Sequence, residues 1–107
     1  MSNFLNWRDF EGAKPLTFYK TDLWQGEHVM VGLNCLEPGQ AQPVHVHLGA
    51  DKVYFVLSGK GHFSIGDEQT TVGEGMLVVA PDGVPHGVSN EGNERLSLLI
   101  AIAPGIK

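Results

Sequence analysis

Turn-forming residues recur about every ten positions along this 107-residue chain, a rhythm that leaves room for short strands and none for long helices. Pro38-Gly39, Ser58-Gly59, Gly66-Asp67, Gly73-Glu74-Gly75 and Pro81-Asp82-Gly83 each separate runs rich in β-branched and aromatic residues. From His28 to Leu36 the alternation is clean. Val29, Val31, Leu33 and Cys35 share one wholly apolar face, and His28, Met30, Gly32, Asn34 and Leu36 share the other. Val53 to Leu57 reads as a strand, Phe63 and Ile65 alternate with His62 and Ser64, and Thr70 to Val72 starts another strand. Met76 to Ala80 is a continuous apolar strand, and Arg95 to Ala103 is the last. Leu16 to Tyr19 and Thr21 to Trp24 predict an edge strand. Fourteen glycines and six prolines among 42% hydrophobic residues complete an all-β reading. The length suits one domain over residues 1–107, with 1–13, which carries Phe4, Leu5, Trp7 and Phe10, packed on it as an N-terminal arm or extra edge strand.

Charge and composition exclude several partners. A net charge of −5 with seven scattered Lys and Arg argues against nucleic acid and against anionic membrane surfaces. No apolar run approaches the roughly 20 residues of a membrane span, nothing at the N-terminus reads as a charged region followed by an apolar one, and Cys35 has no second cysteine to pair with. The expectation is a cytoplasmic protein acting on a small molecule. Trp7, Phe10, Phe18 and Trp24 are more aromatic surface than a small barrel leaves wet, which predicts a homodimer.

The chemistry centres on His45 and His47. In a helix residues at i and i+2 diverge by about 200°, but in a strand they point to one face with Cα atoms roughly 6.6 Å apart, close enough to grip one metal ion. The stretch around them resembles the cupin superfamily, in particular its small single-domain members. The family's first motif, G-x5-H-x-H-x3,4-E-x6-G, is met by Gly39, His45, His47 and Gly59, with Lys52 in the glutamate position and Asp51 just before it. The second, G-x5-P-x-G-x2-H-x3-N, is met throughout by Gly75, Pro81, Gly83, His86 and Asn90. The resemblance implies a jelly-roll barrel and a class of activities that includes dioxygenases, sugar isomerases, lyases and decarboxylases. Chemistry agrees independently of the name: two imidazoles from one strand and a third, His86, from a facing strand make a three-nitrogen site that leaves coordination positions open on a divalent Fe, Mn, Ni, Cu, Co or Zn ion.

Lys52 is the departure from that pattern. An ammonium about 4 Å from a divalent ion is repelled by roughly 8 kcal/mol at an effective dielectric of about 20. Either Lys52 loses its proton, or it reaches away, or a bulge turns Asp51 inward as a fourth ligand, or no metal is held. Lys52 and Tyr54, two residues apart on one face, are the candidates to hold a substrate or move its proton. His62 is expected to face solvent, because Phe63 and Ile65 take the inner face, and His28 to sit at a solvated strand end. Gly59-Lys60-Gly61 joins two strands and opens no helix, so it is no phosphate loop. Three functions remain: a small metal enzyme, a barrel that binds a sugar or small acid without turnover, and a metal-free relative.

Overall fold

The computed structural model describes residues 2–105. Among them nine strands form two antiparallel sheets: β1 (Tyr19–Gln25), β2 (Met30–Leu36), β3 (Ala41–His45), β4 (Asp51–Ser58), β5 (Lys60–Ile65), β6 (Glu68–Gly73), β7 (Leu77–Ala80), β8 (His86–Ser89) and β9 (Leu96–Ala103). One sheet runs β1-β2-β9-β4-β7, the other β3-β8-β5-β6, and they face each other as a jelly roll. The predicted edge strand is present at the edge, but it begins at Tyr19, so Leu16 to Phe18 lie outside it, and a bulge interrupts it between Asp22 and Trp24. In the N-terminal region Trp7–Phe10 forms a 3-10 turn, and among the described residues before Tyr19 there is no strand.

The core lies between the inner faces. Leu36, Tyr54, Val56, Leu96, Leu98, Ile100 and Ile102 from the larger sheet meet Phe63 and Val88 from the smaller one. Register places Met30, Gly32, Asn34 and Leu36 of β2 opposite Ile102, Ile100, Leu98 and Leu96, so the mixed face of β2 turns inward. The wholly apolar face turns outward instead, and Leu33 and Cys35 are nevertheless fully buried there. The N-terminal arm accounts for this: Ser97 Oγ, beside Cys35 across the ladder, donates to Glu11 Oε1 at 3.1 Å, and Arg95 joins Glu11 and Glu37. Cys35 is therefore buried but outside the main core cluster. Likewise β7 is apolar along its length yet half open, because it is the sheet edge: Val78 and Ala80 point inward while Leu77 and Val79 are 57% and 50% exposed.

Candidate metal centre

Turn chemistry sets the histidine loops. The motif residue Asn90 is 1% exposed; its amide donates to the carbonyls of Leu36 and Glu94, and its oxygen accepts from Gly92 N–H, so it ties the end of β2 to the turn before β9. Gly59 has φ +84°, and a Cβ there would collide with the Arg95 carbonyl. Pro43, which cannot donate to a ladder, sits where the β3–β8 register slips between Gln42 and His45.

Beyond that slip His45, the last residue of β3, pairs directly with His86, the first of β8. The third histidine therefore comes from the neighbouring strand of the same sheet, where the sequence placed it on a facing one. His47 lies past the end of β3, in the connection to β4, yet its ring keeps the side expected of a strand. That connection is laced to the turn before His86: Gly83 N–H donates to the His47 carbonyl at 2.9 Å, and Gly49 N–H donates to Asp82 Oδ1 at 2.8 Å.

The three rings converge. Centroid separations are 4.7 Å for His45–His47, 4.3 Å for His45–His86 and 5.4 Å for His47–His86, and one ring nitrogen from each lies within 4.8 Å of the others. His45 Nδ1 lies 2.9 Å from the Pro43 carbonyl and His86 Nδ1 2.9 Å from that of Val84. A carbonyl only accepts, so both Nδ1 atoms carry the proton and both Nε2 atoms present lone pairs. His86 Nε2 is buried without any hydrogen-bond partner, and His45 Nε2 sits 3.1 Å from His47 Nε2. Two nitrogens on one ion with bonds of about 2.1 Å stand roughly 3.0–3.4 Å apart, so this donor set fits a metal. Burial, and then the neighbouring His45 and Lys52 charges, lower the His47 pKa; burial is also the largest influence lowering that of His86. Both effects favour the neutral imidazole that coordinates.

The other sequence candidates separate. Lys52 points inward and is 4% exposed; its Nζ lies 4.6 Å from the Tyr54 ring centroid, and it has no ion pair among the described residues. Burial, and secondarily Lys20, bring its pKa down to about 8. Asp51 takes the outer side of β4, where it is exposed and its Oδ1 accepts from Asp82 N–H at 2.9 Å; it does not join the histidines. Tyr54 is fully buried and donates its hydroxyl to Gln42 Oε1 at 2.7 Å. It meets that amide rather than the open site, and burial pushes its pKa up. His62 lies outward between Thr71 and Gln69, and His28 is exposed outside β2.

A cleft of about 630 Å³ opens in front of the histidines, with Lys52, Asn34 and Gln42 among its walls. Sequence reading missed Asn34 and Gln42. The available signal for Asn34 was a polar residue on the mixed face of β2, which alternation alone does not mark as the inner one.

Comparison with known proteins follows the same lines. The family model for the cupin domain matches residues 32–102. The crystal structure of TT1209 from Thermus thermophilus superposes with a TM-score of 0.92 at 38% identity, covering 96% of this chain and 98% of that one. The uncharacterized Streptomyces coelicolor protein SCO3923 is 35% identical over 77 residues, 72% of this chain and 71% of its own length. An oxalate-binding protein of Thermotoga maritima is 30% identical over 67 residues, 63% of this chain, and the match spans 55% of that relative.

Proposed function

The chain belongs to the cupin family, and from that premise we propose that it holds a divalent transition metal on His45, His47 and His86 and acts there on a small carboxylate metabolite. The observation that carries this reading is the buried, unpartnered His86 Nε2 in a cluster of ring nitrogens, with the Lys52 ammonium in the wall of the same cleft. An unsatisfied buried nitrogen costs about 1–3 kcal/mol, which coordination would offset. When bound, the metal supplies a Lewis acid that polarises a carboxylate or carbonyl oxygen. Before a metal is bound Lys52 is largely a cation at neutral pH, with its proton held only to about pH 8, and a neighbouring divalent ion lowers that further; it can therefore attract the anionic end of the ligand and give up or take a proton near physiological pH. Tyr54 acts through Gln42, whose amide it orients.

The relative named for oxalate binding supports a carboxylate as the ligand, and supports equally a barrel that binds without turnover. This reading also takes the protein as a cytoplasmic homodimer. Among the described residues no helix is long and apolar enough to cross a membrane.

Elemental analysis of protein reconstituted with each candidate ion is expected to give about one equivalent per chain, falling below about a tenth in His86→Ala. A wild-type protein that retains no ion after reconstitution overturns the metal site. Incubating the loaded protein with small carboxylates then separates the two functions: product formation assigns the enzyme, and binding without product assigns the barrel.

A further inference from the structure

The cleft extends well past the histidines, and its lining includes N–H donors that the protein leaves unused. Asn34 is 7% exposed and lines the cleft from β2, its backbone held in the ladders to β1 and β9 and its side-chain amide turned to the cleft. Lys20, its direct partner across the β1–β2 ladder, shares its face and lines the same space at the rim. Gln42 reaches in from the smaller sheet; its oxygen is taken by the Tyr54 hydroxyl, so its NH2 is the group left for the cleft. All three offer N–H donors.

Register separates the two ends. Lys52 lies in the row of Ile102 and Met30, whereas Lys20 lies in the row of Asn34 and Leu98. Met30 and Asn34 are four residues apart on β2, roughly 13 Å of extended strand. Between them the inner face offers Gly32, with no side chain, and Ile100, so the floor joining the ends is apolar. At the β1 edge of that middle row, opposite Gly32, stands Asp22, the carboxylate among the cleft-lining residues, which is exposed and pairs with neither lysine. The two ammoniums are close enough for Lys20 to depress the Lys52 pKa, and neither is paired with a carboxylate among the described residues.

We propose that Asn34, Lys20 and Gln42 form a second acid-binding subsite, so that the ligand of this cleft is a dianion: one acidic group lies at the histidines and Lys52, a short carbon chain crosses the apolar floor, and the other acidic group lies at Lys20 and Asn34. A net-negative protein that gathers unpaired cations at both ends of one cleft selects a ligand charged at both ends. The inference rests on the metal-site reading for its near end only.

The test is calorimetric titration of the Zn2+-loaded protein with acetate, oxalate, adipate and suberate, with zinc content measured in parallel. Adipate or suberate is expected to bind at least about tenfold more tightly than acetate and more tightly than oxalate, which is too short to reach both ends. Lys20→Gln is expected to bring that preference to within about threefold of acetate, with Lys20→Arg retaining it, and Asn34→Ser to weaken the longer acids selectively. Equal binding of acetate and suberate by the wild type, or a preference untouched in Lys20→Gln, overturns the second subsite. Failure to retain zinc overturns the metal reading instead, and the same titrations on metal-free protein still compare long and short acids.

Discussion

A buried ammonium beside three imidazoles makes Lys52 the most informative residue to change. Because it occupies the family's glutamate position and faces inward, Lys52→Glu replaces a repelled cation by an anionic ligand. Zinc affinity, read by competition with a chelator, is expected to rise at least about tenfold while binding of carboxylates falls; unchanged zinc affinity would place the side chain away from the ion. Asp51→Ala is expected to leave zinc affinity unaltered and to destabilise the fold by about 1 kcal/mol, through the acceptor lost to Asp82 N–H. A drop in metal affinity there would restore Asp51 as a ligand. Lys52 also sets a pH dependence. Folding lowers its pKa from 10.5 to about 8, so between those values the unfolded chain binds the proton more readily than the folded one. The penalty of burying the ammonium is complete below about pH 8 and is relieved as pH climbs toward 10.5. Metal-free protein is therefore expected to gain on the order of 3 kcal/mol from this group across that window. Chemical denaturation of wild type and Lys52→Met should diverge there; parallel curves would contradict it.

Strand β3 is held against β8 at the histidine pair, and the spacing depends on Gly87. A Cβ on Gly87 would stand 3.0 Å from both the Gln42 carbonyl oxygen and Val44 N, backbone atoms that cannot turn aside. Gly87→Ala is expected to push β3 outward, to cost about 1–3 kcal/mol, and to weaken zinc binding by parting His45 from His86. Melting and zinc titration check both effects, and a loss of stability without loss of affinity would show that the pair tolerates the shift. The loops behave as one unit with this ladder, because Gly83 and Asp82 fasten the His47 connection to the turn before His86. Asn90 does for the far end of the sheet what those bonds do for the mouth. Asn90→Ala leaves the Leu36 and Glu94 carbonyls without their shared donor and is expected to lower the melting temperature by roughly 10 °C.

Association belongs to the whole molecule, and exposure bears on which surface a homodimer would use. Of the aromatics first expected to form an interface, Trp24 is 50% exposed, whereas Phe18 packs on the core and Trp7 and Phe10 are partly covered. An open apolar patch lies on the outer face of β4 and β7, where Phe55 pairs with Leu77 beside Val79, next to Met76. A homodimer formed through this patch is expected to sediment at twice 11.6 kDa at micromolar concentration and to dissociate in Leu77→Glu. A wild-type monomer would rule it out.

Local chemistry wrote much of this protein into its sequence. Strand alternation and turn residues are short-range signals that predicted an all-β chain, the i, i+2 spacing set His45 and His47 on one face, and the resemblance of the two motifs to the cupins implied the jelly roll and added His86. Sequence alone could not decide which face of β2 is interior, since an apolar face is buried equally well by a barrel or by an arm folded over it from residues far away in the chain. For the same reason Asn34, Gln42 and Lys20 stayed unremarked until register brought three strands of two sheets around one cleft. Lys52 lay between these cases. Its period on β4 was legible, but its burial, its lowered pKa and the outward turn of Asp51 depend on what packs against the strand. Residue spacing along a strand is fixed by the backbone, whereas the side that meets water is fixed by everything folded around it.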